Sequence, residues 1–162
     1  MIVMIILLVA ADQAVKYWAV LELRPVRTME FLHIGSLKLI DLTYLENTGA
    51  IFGSMKGQRW FLIGFTSLII IAGIAALFLL RKQPKTLRLG IALFVAGGIG
   101  NLIDRVRFGY VVDMFEVKLF RFAIFNVADI CVTCAFVLLI VYALFMDGRK
   151  KNVGEETAAD GA

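Results

Sequence analysis

One histidine, two cysteines and two prolines stand in a chain of 162 residues, and only 19% of those residues are charged. Each scarcity excludes something. His33 falls in a polar surface segment, and Ser36, Ser54 and Ser67 have no partner, so there is no serine–histidine pair and no histidine-spaced metal cluster. Two cysteines are too few for a disulfide-stapled secreted module. Cys131 and Cys134 form a C-x-x-C spacing, but both lie inside an apolar run without further ligands, and they read as small packing residues. The shortage of charge, beside 60% hydrophobic residues and a mean hydropathy of +0.85, excludes a disordered chain and an ordinary soluble enzyme. The net charge of +4 does not indicate nucleic-acid binding, because the basic residues cluster at the ends of apolar runs and form no aromatic-interleaved stripe.

What is present is long apolar runs. A helix crossing a bilayer needs about 20 mostly apolar residues, and four runs approach that length: Met1 to about Val20, Trp60 to Leu80, about Leu87 to Ile103, and Ala123 to Met146. The first lacks the basic leader and small-residue cleavage site of a secretory signal, so a retained span is expected. A single membrane-embedded domain is therefore expected over residues 1–151, with a polar, disordered tail at 152–162. Between the first two spans, Phe31 to Glu46 partly alternates apolar and polar residues, with a phase slip before Leu42 and Tyr44. Short strands with a bulge or turn, lying on the membrane surface, are expected there; Val111 and Val112, after Gly109, are strand-like too. Charge does not settle orientation. The short hairpin holding Arg81, Lys82, Lys85 and Arg88, with Arg149, Lys150 and Lys151, argues for cytoplasmic termini, but nine basic residues flank the opposite face against these seven.

A charge inside a bilayer costs about 2.5–3.5 kcal/mol on insertion scales, so each one needs a reason. Asp12 and Lys16 share a face of the first span at i,i+4 and can neutralise one another. The third span ends in Gly97, Gly98, Gly100, Asn101, Asp104 and Arg105, where the glycines allow close helix approach but do not explain an amide and a carboxylate three residues apart. Asp113 lies between large apolar residues; Asn126 and Asp129 open the fourth span; Asn47 and Gly49 precede the second. With alternating spans, Asp12, Asn47, Asn101, Asp104, Asp113, Asn126 and Asp129 all fall at one membrane level, whichever way the protein inserts. That convergence describes a site. Its chemistry rests on carboxylates, and two in a poorly solvated place cannot both ionise, so one keeps a proton while the other acts as base on a water. Asp113 and Asp129, both with apolar flanks, are the best pair. Arg105 is expected to hold Asp104 ionised, and Asn47, Asn101 and Asn126 are candidates for hydrogen bonds to substrate backbone.

These residues form five collinear blocks: Asp12-Gln13-x-x-Lys16; Asn47-x-Gly49-Ala50-x-Phe52-Gly53; Gly97-Gly98-x-x-Gly100-Asn101-x-x-Asp104-Arg105; Gly109-x-Val111-Val112-Asp113; and Phe125-Asn126-x-Ala128-Asp129. In them the sequence resembles the lipoprotein signal peptidases, or signal peptidases II, the bacterial membrane aspartic proteases. The resemblance implies an integral membrane, mainly α fold with four transmembrane helices and a small extracytoplasmic β-cradle. It implies Asp113 and Asp129 as the catalytic dyad, with Asp12, Lys16, Asn47, Gly49, Asn101, Asp104, Arg105, Asn126 and Ala128 supporting or lining the site, and neither metal nor organic cofactor. The implied substrates are diacylglyceryl-modified prolipoproteins, cut just before the lipidated cysteine; globomycin-type inhibitors and membrane lipid are the other implied partners. It places the protein in the bacterial cytoplasmic (inner) membrane, termini cytoplasmic and site towards the outer leaflet, and one chain suffices for a complete site. The competing reading is a proton- or ion-coupled carrier, which fits intramembrane acids but not their confinement to one face.

Overall fold

The computed structural model describes residues 1–49 and 55–145. Ala50, Phe52 and Gly53 of the second block, the end of the expected fourth span at Met146, and the tail expected at 152–162 lie outside the described residues.

Among the described residues, four helical stretches have the length and hydropathy to cross a bilayer: Ile2–Val26, Arg59–Leu79, Lys85–Arg107 and Val127–Phe145. The first comprises α1 (Ile2–Trp18), a π-helical segment (Ala19–Leu23) and a last short turn, α2 (Arg24–Val26). The others are α3 (Arg59–Leu79), α4 (Lys85–Arg107) and α5 (Val127–Phe145). Helices are the natural form for these runs, because backbone groups in hydrocarbon must be satisfied within the segment. Ile6, Leu7, Leu68, Ile71, Phe78, Val137 and Ile140 remain exposed on the outer faces, the surface a bilayer covers.

α4 packs against α1, α3 and α5. Its inner face carries Gly90, Ala92, Val95, Ala96, Gly97 and Gly100, all buried. The small residues let backbones meet, as in other membrane bundles. A methyl group on Gly97 would lie 2.4 Å from the Ala128 carbonyl oxygen of α5, and one on Gly100 would lie 2.6 Å from the Asp12 carboxylate of α1.

Among the described residues, three antiparallel strands sit between the spans in the order β1 (Thr28–Ile34), β2 (Leu37–Asn47), β3 (Val111–Val117). The register pairs His33 with Lys38, Leu45 with Asp113 and Asn47 with Val111. The phase slip expected before Leu42 coincides with register shifts of β1 against β2 between Glu30 and Leu32 and between Leu32 and His33, opposite Lys38 to Asp41; a further shift lies between Leu42 and Leu45 against β3. One face of the sheet is closed by the π-helical segment: Ala19 and Leu23 form a buried core with Leu42, Tyr44, Val112 and Met114. This core anchors β3, and with it Asp113, to the end of α1.

The first helical stretch runs on to Val26 rather than about Val20, and two further boundaries differ from expectation for physical reasons. The third helix runs to Arg107 rather than Ile103, because Asp104 is buried and bonded rather than solvated. The fourth begins at Val127, not Ala123. Ala123 to Phe125 are apolar but not helical, and Phe125 pairs its backbone with Phe115 of β3.

Candidate active site

Lys16 is the hub of the buried polar layer. It is 3% exposed, and its ammonium reaches the Asp12 Oδ2 and Asp104 Oδ2 at 3.0 Å each and the Asn101 Oδ1 at 2.9 Å. Three donors meet three acceptors, which is what a buried ammonium requires. The expected Asp12–Lys16 pair is present. The expected Asp104–Arg105 pair is not: Asp104 bonds Lys16 instead, and the Arg105 Nη2 donates to the Gly49 carbonyl at 3.0 Å. Adjacent helical residues point to different faces, so Asp104 turns inward to α1 while Arg105 turns to the loop after β2.

The two acids bind outward as well as inward. The Asp12 Oδ1 accepts the Ala128 backbone N–H at 2.8 Å, tying α1 to the first turn of α5. The Asp104 Oδ2 accepts the Val112 N–H at 3.1 Å, tying α4 to β3. Gln13, quoted above within a motif but given no role, donates to the Asp104 Oδ1 at 3.0 Å and the Gly100 carbonyl at 3.2 Å. Arg59, counted above only as a loop charge, donates to the Arg105 and Val106 carbonyls at 2.9 Å each and so caps the end of α4. Gln13 lies three residues before Lys16 on the one polar stripe of α1, a signal that was available; Arg59 gave none.

Asn126 positions both remaining acids. Its Oδ1 accepts the Asp129 N–H at 3.0 Å, and the Asp129 Oδ2 accepts the Asn126 N–H at 3.1 Å. This reciprocal pair is a capping box, here Asn and Asp, and it starts α5 at Val127. The Asn126 Nδ2 then donates to the Asp113 Oδ1 at 2.6 Å and to the Asn101 Oδ1 at 3.1 Å. The Asn101 Nδ2 donates to the Asp129 Oδ1 at 2.8 Å, and the Asn47 Nδ2 to the Asp113 Oδ2 at 2.9 Å. Each carboxyl group thus receives two N–H donors. Asn47 completes its own bonding by accepting the Gly49 N–H at 3.0 Å. The three asparagines, expected to face substrate backbone, direct their side-chain N–H groups to Asp113, Asp129 and one another.

Asp113 and Asp129 open into one cavity of about 750 Å³ between α3, α4, α5 and the segment before α5. Asn47, Asn101 and Arg105 share its lining, and Phe61, Phe65, Phe94 and Phe136 belong to its apolar wall. Burial pushes the Asp113 carboxyl up to about 7; the neighbouring Asp129 charge pushes the same way, against the amides of Asn47 and Asn126. A carboxyl group that holds its proton up to near pH 7 beside a second, amide-bonded carboxyl group is suited to acid–base work on a water. Among the described residues, no group of three or more His, Cys, Asp or Glu is arranged to hold a metal ion. All seven acids and amides expected at one level are joined in this single web, with Lys16, Gly49, Arg105 and Ala128 attached to it; His33 is exposed on β1, away from the web.

Bilayer-length helices around a pair of hydrogen-bonded carboxyl groups fit a multi-pass membrane enzyme of the aspartic type. A family profile described as signal peptidase (SPase) II matches residues 4–145. A lipoprotein signal peptidase of Clostridioides difficile (strain 630) is 36% identical over 152 residues, 93% of this chain and 98% of that protein. One from Lactococcus lactis subsp. lactis (strain IL1403) is 37% identical over 151 residues, 93% and 96% of the two chains. A bacterial membrane enzyme solved by the in meso method at 2.3 Å resolution superposes with a TM-score of 0.75 and 29% identity, over 93% of this chain and 90% of that one. A second, at 1.9 Å resolution, gives 0.73 and 28%, over 89% and 92%. The chain belongs to the signal peptidase II family, the lipoprotein signal peptidases. It is an aspartic protease that removes signal peptides from prolipoproteins, and the carrier reading finds no support.

Proposed function

We propose that Asp113 and Asp129 are the catalytic dyad and that the peptide bond cut lies just before a diacylglyceryl-modified cysteine. The observation that carries this is the pairing itself: two carboxyl groups from different elements, each held by two N–H donors, lining one cavity. A water between them loses a proton to the ionised carboxylate as its oxygen attacks the scissile carbonyl carbon. The neutral carboxyl donates its proton to the developing oxyanion. When the C–N bond breaks, the first acid returns its proton to the leaving amine, which is the new N-terminus of the lipidated cysteine. The signal peptide leaves as a carboxylate. Asp12, Lys16, Asn47, Gly49, Asn101, Asp104, Arg105, Asn126 and Ala128 form the supporting shell.

The substrate's acyl chains remain in the bilayer while its peptide reaches the dyad, so partitioning into lipid contributes to recognition. Globomycin-type inhibitors compete for the same cavity. One domain over residues 1–151 and a single chain suffice, because every residue of the dyad and its shell comes from one copy. The protein lies in the bacterial inner membrane with its termini and the hairpin of Arg81, Lys82, Lys85 and Arg88 in the cytoplasm, and the dyad towards the outer leaflet.

The test uses purified protein in phospholipid vesicles with one prolipoprotein in lipidated and unlipidated forms, the fragments being weighed by mass spectrometry. Cleavage only of the lipidated form, with the cut immediately before the modified cysteine, is the expected result. Equal cleavage of both forms, or a cut elsewhere, contradicts the substrate assignment.

A further inference from the structure

We propose that the dyad is asymmetric by construction: Asp129 is the ionised base, Asp113 carries the proton, and Lys16, acting through Asn101, is the positioning residue that fixes this division. The proposal rests on the dyad reading above and assigns the roles that reading leaves open.

The amide orientations are forced. An ammonium has no lone pair, so Asn101 turns its oxygen to the Lys16 Nζ at 2.9 Å, and the same oxygen accepts the Asn126 Nδ2 at 3.1 Å. The nitrogen of Asn101 is thereby left to face Asp129, where it donates to Oδ1 at 2.8 Å. A positive charge on the oxygen side of an amide polarises it and strengthens its N–H as a donor. The second donor to Asp129 is the backbone N–H of Asn126 at the start of the 19-residue α5, where the helix dipole favours negative charge.

Asp113 has the weaker set. Its donors are the neutral side-chain amides of Asn126 and Asn47, neither touching Lys16. It is 1% exposed on a strand between Val112 and Met114, themselves fully buried, whereas Asp129 is only partly buried. Charged groups also face the pair from two of the packed helices: Asp12 and Lys16 from α1, and Asp104 and Arg105 from α4. Asp12 and Asp104 are both engaged by Lys16, and the charges of Arg105 and Lys16 act on both dyad members, so the hydrogen-bond path from Lys16 through Asn101 to the Asp129 Oδ1 is the connection that distinguishes them.

The reaction then runs in one direction around the site. Asp129 takes the proton from water as the C–O bond forms, while Asp113 gives its proton to the carbonyl oxygen. As the C–N bond breaks, Asp129 gives its proton to the amine nitrogen and Asp113 recovers one from the hydroxyl that becomes the carbonyl. Both acids return to their starting states.

The experiment is the pH profile of kcat/KM for wild type, Asn101→Leu, Asn47→Leu, Lys16→Met and the double variant Lys16→Met/Asn101→Leu, in vesicles with lipidated prolipoprotein. The acidic limb reports protonation of the base and the alkaline limb loss of the acid's proton. Asn101→Leu and Lys16→Met are each expected to move the acidic limb up by about one pH unit and leave the alkaline limb in place. The double variant shifts no further than Asn101→Leu alone, because Lys16 acts through Asn101. Asn47→Leu moves the alkaline limb up instead. A swap of the two limbs between Asn47→Leu and Asn101→Leu overturns the assignment. A Lys16→Met variant that loses turnover equally at every pH, with both limbs fixed, reduces Lys16 to a structural role and overturns the proposal. If Lys16→Met does not fold, Lys16→Met/Asp104→Asn, which removes one charge of each sign, is read on the same limbs. Retained turnover in Asp113→Asn or Asp129→Asn defeats the dyad reading itself, a result separate from any of these shifts.

Discussion

Asn126 makes more of the proposed site than either acid it serves. One side chain caps α5, fixes Asp129 through the reciprocal backbone bonds, and reaches Asp113 and Asn101 with its two amide N–H groups. Asn126→Ala is therefore expected to cost about 1 kcal/mol of stability through the lost cap and about 10²-fold in kcat through misplacement of both acids; thermal unfolding and steady-state cleavage measure the two separately. Asp113 adds a pH signature. Its carboxyl is pushed up to about 7 by burial, so the folded state holds that proton more tightly than the unfolded chain does. Stability from this group is fully present below the ordinary carboxylate range and is lost as pH rises towards about 7. Asp113→Asn should therefore raise the melting midpoint at pH 8, and the gain should disappear near pH 4; a gain independent of pH contradicts the burial account. The residue types at this site were legible because charged and amide side chains are rare in apolar runs. Their partners were not. Asp104 stands beside Arg105 in sequence, but helix geometry sends it across to Lys16, 88 positions away.

At the level of elements, the contact between α4 and α5 sets the spacing of the web. Gly97 lets the Ala128 carbonyl come within a distance that a methyl group would obstruct, and Ala128 is also the residue whose N–H binds Asp12. Gly97→Ala is expected to destabilise by about 1–3 kcal/mol and to lower kcat with it. Gly64→Ala on α3, where nothing lies within 4 Å, is the control and should change neither. Similar losses from both, measured by thermal unfolding and turnover, contradict the packing argument. The helices were legible from the sequence as unbroken apolar runs, and the glycines foretold close packing. The start of α5 was not legible, because Ala123 to Phe125 are as apolar as the span that follows, and only the pairing of Phe125 with β3 and the Asn126 cap mark them as outside the helix. The π-helical segment escaped for the same reason. Apolar content reports burial, while the local winding of Ala19–Leu23 is set by the sheet packed on it.

For the whole molecule, α1, α4, α5 and the loop after β2 converge on two acids that one chain supplies in full. Orientation is the property charge counting left open, and it has a direct readout. In a Cys131→Ser/Cys134→Ser background, a cysteine at Gln83 should react with a membrane-impermeant maleimide only from the cytoplasmic side. A cysteine at Ser36 should react only from the opposite side, and the reverse pattern contradicts the proposed topology. The central claim is that Asp113 and Asp129 together perform the cleavage. Its most direct test is turnover of lipidated prolipoprotein by Asp113→Asn and Asp129→Asn, each purified and shown to be folded and monodisperse. Each is predicted to lose about 10²–10⁴-fold or more in kcat; near-normal turnover by either one contradicts the account.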